Sequence, residues 1–203
     1  MTSRETDRHP ERDATFPAGW QWSGPATARH TDHEAGILRL EAPAGADLFV
    51  MPGVREVDRL PALTRPVTHD FRLEALVDVE GGTRFDAGGI LVDTGNGSLK
   101  LCVERAVSGG WSVVTIVTRP TSDEAAGPSL VGPAAGLLVT RQGERLATFF
   151  REPDEPDWRF ARTLTVPATE LRVGVFAQAP LSDGCTAVFR DVKTSPTPLR
   201  DRR

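Results

Sequence analysis

The chain has 203 residues, a formal net charge of −4 and 39% hydrophobic residues. This length is enough for one domain with its own core, so neither a disulfide nor a metal is needed for folding. The lysines and arginines are scattered along the chain, so we expect no basic face and no nucleic-acid partner. No apolar run reaches the roughly 18 residues of a membrane span, so we expect no membrane partner.

The N-terminal end of the chain is polar and charged, and the C-terminal end is polar and contains prolines. We expect a disordered N-terminal tail over residues 1–15, one folded domain over 16–193 and a disordered C-terminal tail over 194–203. The first tail has no apolar signal-peptide segment, which favours a cytoplasmic location. Cys102 and Cys185 lie in strand-like runs and are expected to be buried free thiols.

Short strand-like runs fill the central region, separated by glycine, proline and aspartate. The clearest run is 69–79, where apolar and polar residues alternate with the period of two that gives a strand one buried face. No segment has a helical apolar stripe, and 16 prolines and 19 glycines argue against helices. The predicted strands, in chain order, are 37–42, 47–51, 69–79, 85–92, 99–105, 111–118, 137–141, 145–150, 158–166, 171–177 and 185–193. The pattern predicts an all-β sandwich or barrel.

Alternation also predicts which way the side chains of each strand point. In the 99–105 run, the apolar positions should face the core, whereas Lys100, Cys102 and Glu104 should lie on the outer face of the sheet. The same reasoning predicts a core that includes Phe71, Leu73, Val77, Leu101, Val103, Val175 and Phe189.

Several runs occur in an order that resembles a known family. They include FDAGGILV at 85–92 and VGVFAQAP at 173–180, together with 47–49, 69–71, 99–104, 112–115, 122–123, 158–162 and 188–192. Together they resemble the DUF1349 family, also called the regulation-of-enolase-type family, which is similar to the concanavalin A-like domain at the C-terminus of some β-xylosidases. The resemblance covers residues 18–194. It implies a two-sheet antiparallel jelly-roll sandwich of the concanavalin A-like lectin/glucanase type.

The sequence departs from the family pattern at two positions. The family usually has tryptophan where this chain has Glu124, and it often has glutamine where Ala87 stands. Both positions are expected near the groove of the fold. The resemblance does not imply a defined activity.

The outer face of the 99–105 strand is the candidate functional surface, because in this fold class that surface is concave and usually holds sugars. Lys100 and Glu104 should line it, with Asp86 on the neighbouring arm of the hairpin. These three residues are also the candidates for acid and base catalysis. The alternatives are that Asp86 bonds to turn backbone and that Glu104 pairs with Lys100.

Further residues complete the expected ligand-binding set. Trp158 and Arg162 alternate on a later strand and suit stacking on a sugar ring, although core packing is the alternative for the tryptophan. Ser122 and Asp123 either form a groove rim or make a turn. The full set of predicted ligand-binding residues is Asp86, Lys100, Glu104, Trp158, Arg162, Gln178, Ser122 and Asp123.

A histidine-rich stretch at 30–34 is the only sequence that resembles a metal site, but it has no obvious third ligand and is read as a solvated loop. We expect no metal and no cofactor. The leading hypothesis is a binding module that holds a carbohydrate or a polyhydroxylated metabolite in its concave groove. The alternatives are a small enzyme acting on a sugar or metabolite, and a protein-interaction partner that regulates a metabolic enzyme.

Overall fold

The computed structural model describes residues 19–25 and 36–199, and the backbone alone for 29–33. This part of the chain forms strands and no helix. None of it therefore makes a helix of the length and hydropathy that a membrane span requires. The strands are β1 (Gln21–Ser23), β2 (Arg29–His33), β3 (Ile37–Pro43), β4 (Leu48–Met51), β5 (Arg55–Asp58), β6 (Ala62–Val67), β7 (Phe71–Glu80), β8 (Ala87–Asp93), β9 (Ser98–Arg105), β10 (Trp111–Thr118), β11 (Ser122–Leu130), β12 (Ala134–Gln142), β13 (Arg145–Arg151), β14 (Arg159–Thr165), β15 (Leu171–Gln178) and β16 (Gly184–Ser195).

Two large antiparallel sheets make up the body of the protein. The first sheet has the strand order β1-β6-β15-β8-β9-β10-β11, and the second has the order β14-β13-β12-β7-β16-β3-β2. Strands β4 and β5 form a separate two-stranded hairpin. Consecutive hairpins such as β8-β9-β10-β11 alternate in each order with neighbours that lie far apart in the sequence, as β15 and β8 do, which is typical of a jelly roll. The predicted all-β sandwich is confirmed.

The core lies between the two sheets. Because side chains alternate along a strand, every second residue of β7 points into this core. The strands that face β7 across the sandwich also point every second side chain into the core. One continuous cluster contains all the predicted core residues, namely Phe71, Leu73, Val77, Leu101, Val103, Val175 and Phe189. The predicted register of these strands is confirmed.

Three strands of the first sheet were not predicted, namely β1, β6 and β11, and the last two break sequence rules for strands. Pro61 precedes β6 and Pro66 lies within it, whereas Gly127 and Pro128 lie within β11. Proline is tolerated in β11 because this strand is the edge of the sheet. In β6, Pro66 is exposed near the end of the strand.

The structure differs from the predicted C-terminal boundary. Strand β16 continues to Ser195 rather than ending at 193, and it pairs with β7 over this extension. Leu199 packs on a small apolar cluster of the second sheet, and its backbone N–H donates to Thr140 Oγ1 at 3.0 Å. The predicted N-terminal tail at 1–15 lies outside the described residues, as do residues 200–203.

The outer face of the first sheet is partly covered by the β4–β5 hairpin. Leu48 and Phe49 of β4 pack on a second apolar cluster formed by outward-pointing residues of the sheet. The N–H of Val50 donates to Ser122 Oγ at 2.9 Å, which ties the hairpin to β11. The hairpin therefore covers part of the outer face of the first sheet and leaves a cavity beneath it.

Candidate functional site

A cavity of about 320 Å³ lies between the β4–β5 hairpin and the outer face of the first sheet. Its floor comes from β9, β10 and β15, and its mouth from the hairpin and from the loop that follows β15. The lining residues are Asp47, Phe49, Met51, Val54, Arg55, Phe85, Lys100, Glu104, Ile116, Glu124, Gln178, Pro180 and Leu181. Three of the predicted ligand-binding residues, Lys100, Glu104 and Gln178, are among them.

The ammonium group of Lys100 is the centre of the cavity floor. The residue is 1% exposed, and alternation along β9 points it away from the sandwich core as predicted. Its Nζ donates to Asp47 Oδ1 at 2.9 Å and to Gln178 Oε1 at 2.8 Å. The ring of Phe176 lies beneath it, with 5.7 Å between Nζ and the ring centre. These contacts account for two of the three donors of the ammonium group.

Asp47 joins the hairpin to the floor. In addition to Lys100, its carboxylate accepts from the N–H of Leu48 at 2.8 Å and from Arg55 Nε at 3.2 Å. Arg55 also donates from Nη2 to the carbonyl of Pro180 at 3.3 Å. One carboxylate therefore connects β5, β9 and the start of β4. Lys100 does not pair with Glu104, which was the alternative drawn from the sequence.

Glu104 is held in the floor by Gln178, whose Nε2 donates to Glu104 Oε2 at 3.4 Å and to the carbonyl of Phe85 at 2.9 Å. Burial, reinforced by the nearby carboxylates of Glu124 and Asp47 and opposed by Lys100, raises the pKa of Glu104 from 4.5 to about 8. Glu104 is therefore mainly protonated at neutral pH. A protonated carboxyl can donate a hydrogen bond into the cavity as well as accept one.

Phe85 lines the cavity in an unusual backbone conformation. Its φ is +72°, a left-handed value that is rare for an aromatic residue. Strained backbone of this kind concentrates at functional sites, where the surrounding structure holds it in place. The carbonyl of Phe85 accepts from Gln178, and its N–H donates to the carbonyl of Arg105 at 2.7 Å.

Asp86 does not line the cavity, although the sequence placed it in the ligand-binding set. It is fully buried, and its Oδ2 accepts from the N–H groups of Gly82 and Thr83 at 3.2 and 3.0 Å. Its Oδ1 accepts from Ser182 Oγ at 2.6 Å. Asp86 thus fixes the turn before β8, which is the alternative drawn from the sequence. Its contribution to the cavity is to hold Phe85.

Arg162, Ser122 and Asp123 also lie away from the cavity. Arg162, on the edge of the second sheet, donates to Thr115 Oγ1 at 3.3 Å and to Asp123 Oδ2 at 3.4 Å. It therefore joins the edges of the two sheets. Ser122 is in contact with Thr118 through their hydroxyl groups, at 2.9 Å, and anchors the hairpin rather than a ligand. The expected convergence of Arg162 with Lys100 and Glu104 is not found, because β14 belongs to the other sheet.

Trp158 packs on the outer face of the second sheet, against a small cluster with Leu138 and Phe149. The guanidinium carbon of Arg151 lies 4.7 Å from the centre of its ring. Trp158 is therefore neither in the cavity nor in the core between the sheets, because it lies half-buried on the outer face of the second sheet.

Five polar or aromatic groups of the cavity were missed by the sequence reasoning, and one of them is Phe85. Asp47, Phe49 and Arg55 come from the hairpin, and Glu124 comes from β11, which the sequence read as a loop. The position of Glu124 was nevertheless marked as a departure from the family pattern. At this position the chain places a carboxylate in the cavity wall.

Both cysteines are free and buried, as predicted. Burial raises the pKa of the Cys102 thiol well above its usual value and that of Cys185 to about 12. We therefore expect neither thiol to react with iodoacetamide in the folded protein at pH 8, because the thiolate is the reactive form. Mass spectrometry should find no adduct before denaturation and two afterwards. One fast adduct on the native protein would contradict the burial of that cysteine.

Within the described residues, no group of three or more histidine, cysteine, aspartate or glutamate side chains is arranged to hold a metal ion. The prediction of a loop for the histidine-rich stretch at 30–34 is wrong over 30–33, because this backbone forms β2 and pairs with β3. The side chains of the stretch are outside the described part of the chain.

The fold and the cavity together define a class of protein, a jelly-roll sandwich with a cavity on the outer face of one sheet. The family model described as a protein of unknown function, DUF1349, matches residues 22–197, so the chain belongs to that family. Among curated proteins, none matches the sequence significantly.

Solved structures with the same fold include both single-domain proteins and parts of enzymes. A functionally unknown protein from Saccharomyces cerevisiae is similar with a TM-score of 0.74 and 22% identity, over 89% of this chain and 96% of that one. Xylan β-1,4-xylosidase from Bacillus halodurans C-125 matches with a TM-score of 0.66 and 16% identity, over 94% of this chain but only 40% of the enzyme. The carbohydrate-binding module CBM66 from Bacillus subtilis matches with a TM-score of 0.54 and 16% identity, over 87% and 95% of the two chains. At these identities the similarity establishes the fold alone.

Proposed function

We propose that the protein is a binding module that holds a carbohydrate or a similar polyhydroxylated small molecule in the cavity under the β4–β5 hairpin. The observation that carries this proposal is the cavity lining, where the third donor of Lys100 and the carboxyl groups of Glu104 and Glu124 lie beside the aromatic side chains of Phe49 and Phe85. A sugar ring offers both hydroxyl groups and a C–H face, so it uses both kinds of contact.

The charges of the lining favour a neutral ligand. Asp47 lies between Lys100 and Arg55, and Glu104 is protonated at neutral pH, so Glu124 supplies the remaining negative charge. The formal charges of these five groups then cancel. A phosphate or another strong anion would gain little in such a cavity. The fold shared with a carbohydrate-binding module agrees with this choice, but only as an analogy.

Filling the mouth of the cavity should abolish binding. Val54 is 75% exposed at the rim, so Val54→Trp is expected to fold normally and to weaken binding of a sugar at least tenfold by occluding the cavity. Calorimetric titration with methyl glycosides of xylose, glucose and galactose measures this. The matched control is Val131→Trp, at a position 97% exposed and outside the cavity. The proposal is wrong if none of the sugars binds the unmodified protein. It is also wrong if Val54→Trp binds a sugar as tightly as Val131→Trp does.

Catalysis on a sugar or metabolite is the second candidate function, and one observation favours it. Glu104 keeps its proton at neutral pH while Glu124 lies close enough to raise the pKa of Glu104. A carboxyl group that keeps its proton at neutral pH and has a second carboxyl group close by is a candidate general acid. Asp86 has no part in this version, because it is bonded to the turn before β8.

Glu104→Gln separates the two candidates. If the protein only binds, the amide should keep most of the affinity, because it still donates and accepts hydrogen bonds. If the protein is an enzyme, Glu104→Gln should bind the substrate and lose turnover of a glycoside panel, whereas the unmodified protein hydrolyses at least one member. Absence of turnover by the unmodified protein on the whole panel would exclude glycoside hydrolysis of those substrates.

A further inference from the structure

The polar groups of the cavity floor are mostly saturated by one another. The Asp47 carboxylate accepts three hydrogen bonds, and both ends of the Gln178 amide are used. The groups with capacity left for a ligand are the third donor of Lys100, the remaining N–H donors of Arg55 and the carboxyl groups of Glu104 and Glu124. These groups line a limited part of the wall, so they can serve only one small polar unit.

The mouth of the cavity is apolar. Six large hydrophobic side chains are exposed in the described part of the chain, and three of them, Met51, Val54 and Leu181, lie at this mouth. Phe49 and Pro180 continue the same surface inward. Exposed apolar side chains that cluster beside a polar pocket mark a binding surface, whereas single ones elsewhere need no explanation. A free sugar alone would leave this mouth in contact with water.

We infer that the ligand is a single sugar ring that carries an apolar alkyl or aryl substituent, with the ring on the floor and the substituent against Met51, Val54 and Leu181. This inference rests on the proposed function, whose ligand class it narrows. The volume of about 320 Å³ is at the small end of small-molecule sites, so it suits one ring and a substituent rather than an extended glycan.

Matched glycosides test the inference. Phenyl and methyl glycosides of xylose, glucose and galactose differ only in the apolar group, and calorimetric titration of the full chain gives the ratio of their affinities. The phenyl glycoside of the sugar that binds is expected to bind about tenfold or more tightly than the methyl glycoside, the effect of burying roughly two methylene groups.

Rim variants locate the effect. Val54→Ser and Leu181→Ser change exposed side chains, so they should fold normally and lower the ratio of phenyl to methyl affinity towards one. The control is Val107→Ser, also exposed but outside the cavity, which should keep the advantage. Circular dichroism and melting curves confirm that the variants are folded.

The possible results separate a failure of this inference from a failure of the proposed function. Equal affinity for phenyl and methyl glycosides would overturn the inference and leave the proposed function standing, as would rim variants that keep the full phenyl advantage. If phenol binds as tightly as the phenyl glycoside, the sugar ring is not recognised, and the proposed function fails with the inference. If no glycoside binds, the proposed function itself fails.

Discussion

Lys100→Met is expected to lower the free energy of unfolding by about 3 kcal/mol, because it removes one partner of a buried ion pair. The two side chains are 1% and 7% exposed, and the Nζ–Oδ1 distance is 2.9 Å. The substitution leaves Asp47 with Arg55 as its remaining cation, and it leaves Gln178 Oε1 without its donor. The loss comes from these unpaired buried groups rather than from the net strength of the pair.

Urea denaturation followed by fluorescence measures this effect. The matched control is Lys193→Met, since Lys193 pairs with Asp191 at 3.2 Å but the two side chains are 64% and 70% exposed. An exposed pair contributes between about 0 and 1 kcal/mol. Equal losses in the two variants would contradict the burial of the Lys100–Asp47 pair. A change in the slope of the denaturation curve would instead indicate an altered unfolded or native state.

Glu104→Gln is expected to stabilise the protein at alkaline pH relative to the unmodified chain. The pKa of Glu104 is raised from 4.5 in the unfolded chain to about 8 in the folded protein. Between these values the folded state binds the additional proton, so stability falls as the pH rises, by at most about 1.4 kcal/mol per pH unit. Glutamine does not titrate, so Glu104→Gln does not lose this part of the unfolding free energy as the pH rises.

The difference in unfolding free energy between Glu104→Gln and the unmodified protein should therefore increase from pH 5 to pH 9, by up to about 4 kcal/mol, and level off above the folded pKa. Taking the difference removes the contributions of all other groups that titrate alike in both proteins. Glu144→Gln is the control, because Glu144 is exposed at a hairpin turn, and its difference should stay flat. A flat difference for Glu104→Gln would show that the carboxyl group is ionised or solvated in the folded state.

The sequence by itself determined most of the long strands and the direction of their side chains. The period-two alternation of β7 and β9 is a local property, so it could be read without knowing which strand lies next to which. For this reason Leu101 and Val103 could be placed in the core, and Lys100 and Glu104 on the outer face, before the topology was known. The order of the motifs also identified the family and its jelly-roll fold.

Only the tertiary structure decided which outward-pointing residues meet. Lys100 contacts Asp47 across 53 residues and Gln178 across 78, and no local pattern encodes such distances. The structure likewise assigned Asp86 to a turn and Arg162 to the other sheet, although their alternation resembles that of true cavity residues. Local periodicity fixes the face of a strand. The strand order of a jelly roll brings distant segments together, and it is set by how the whole chain buries its apolar surface.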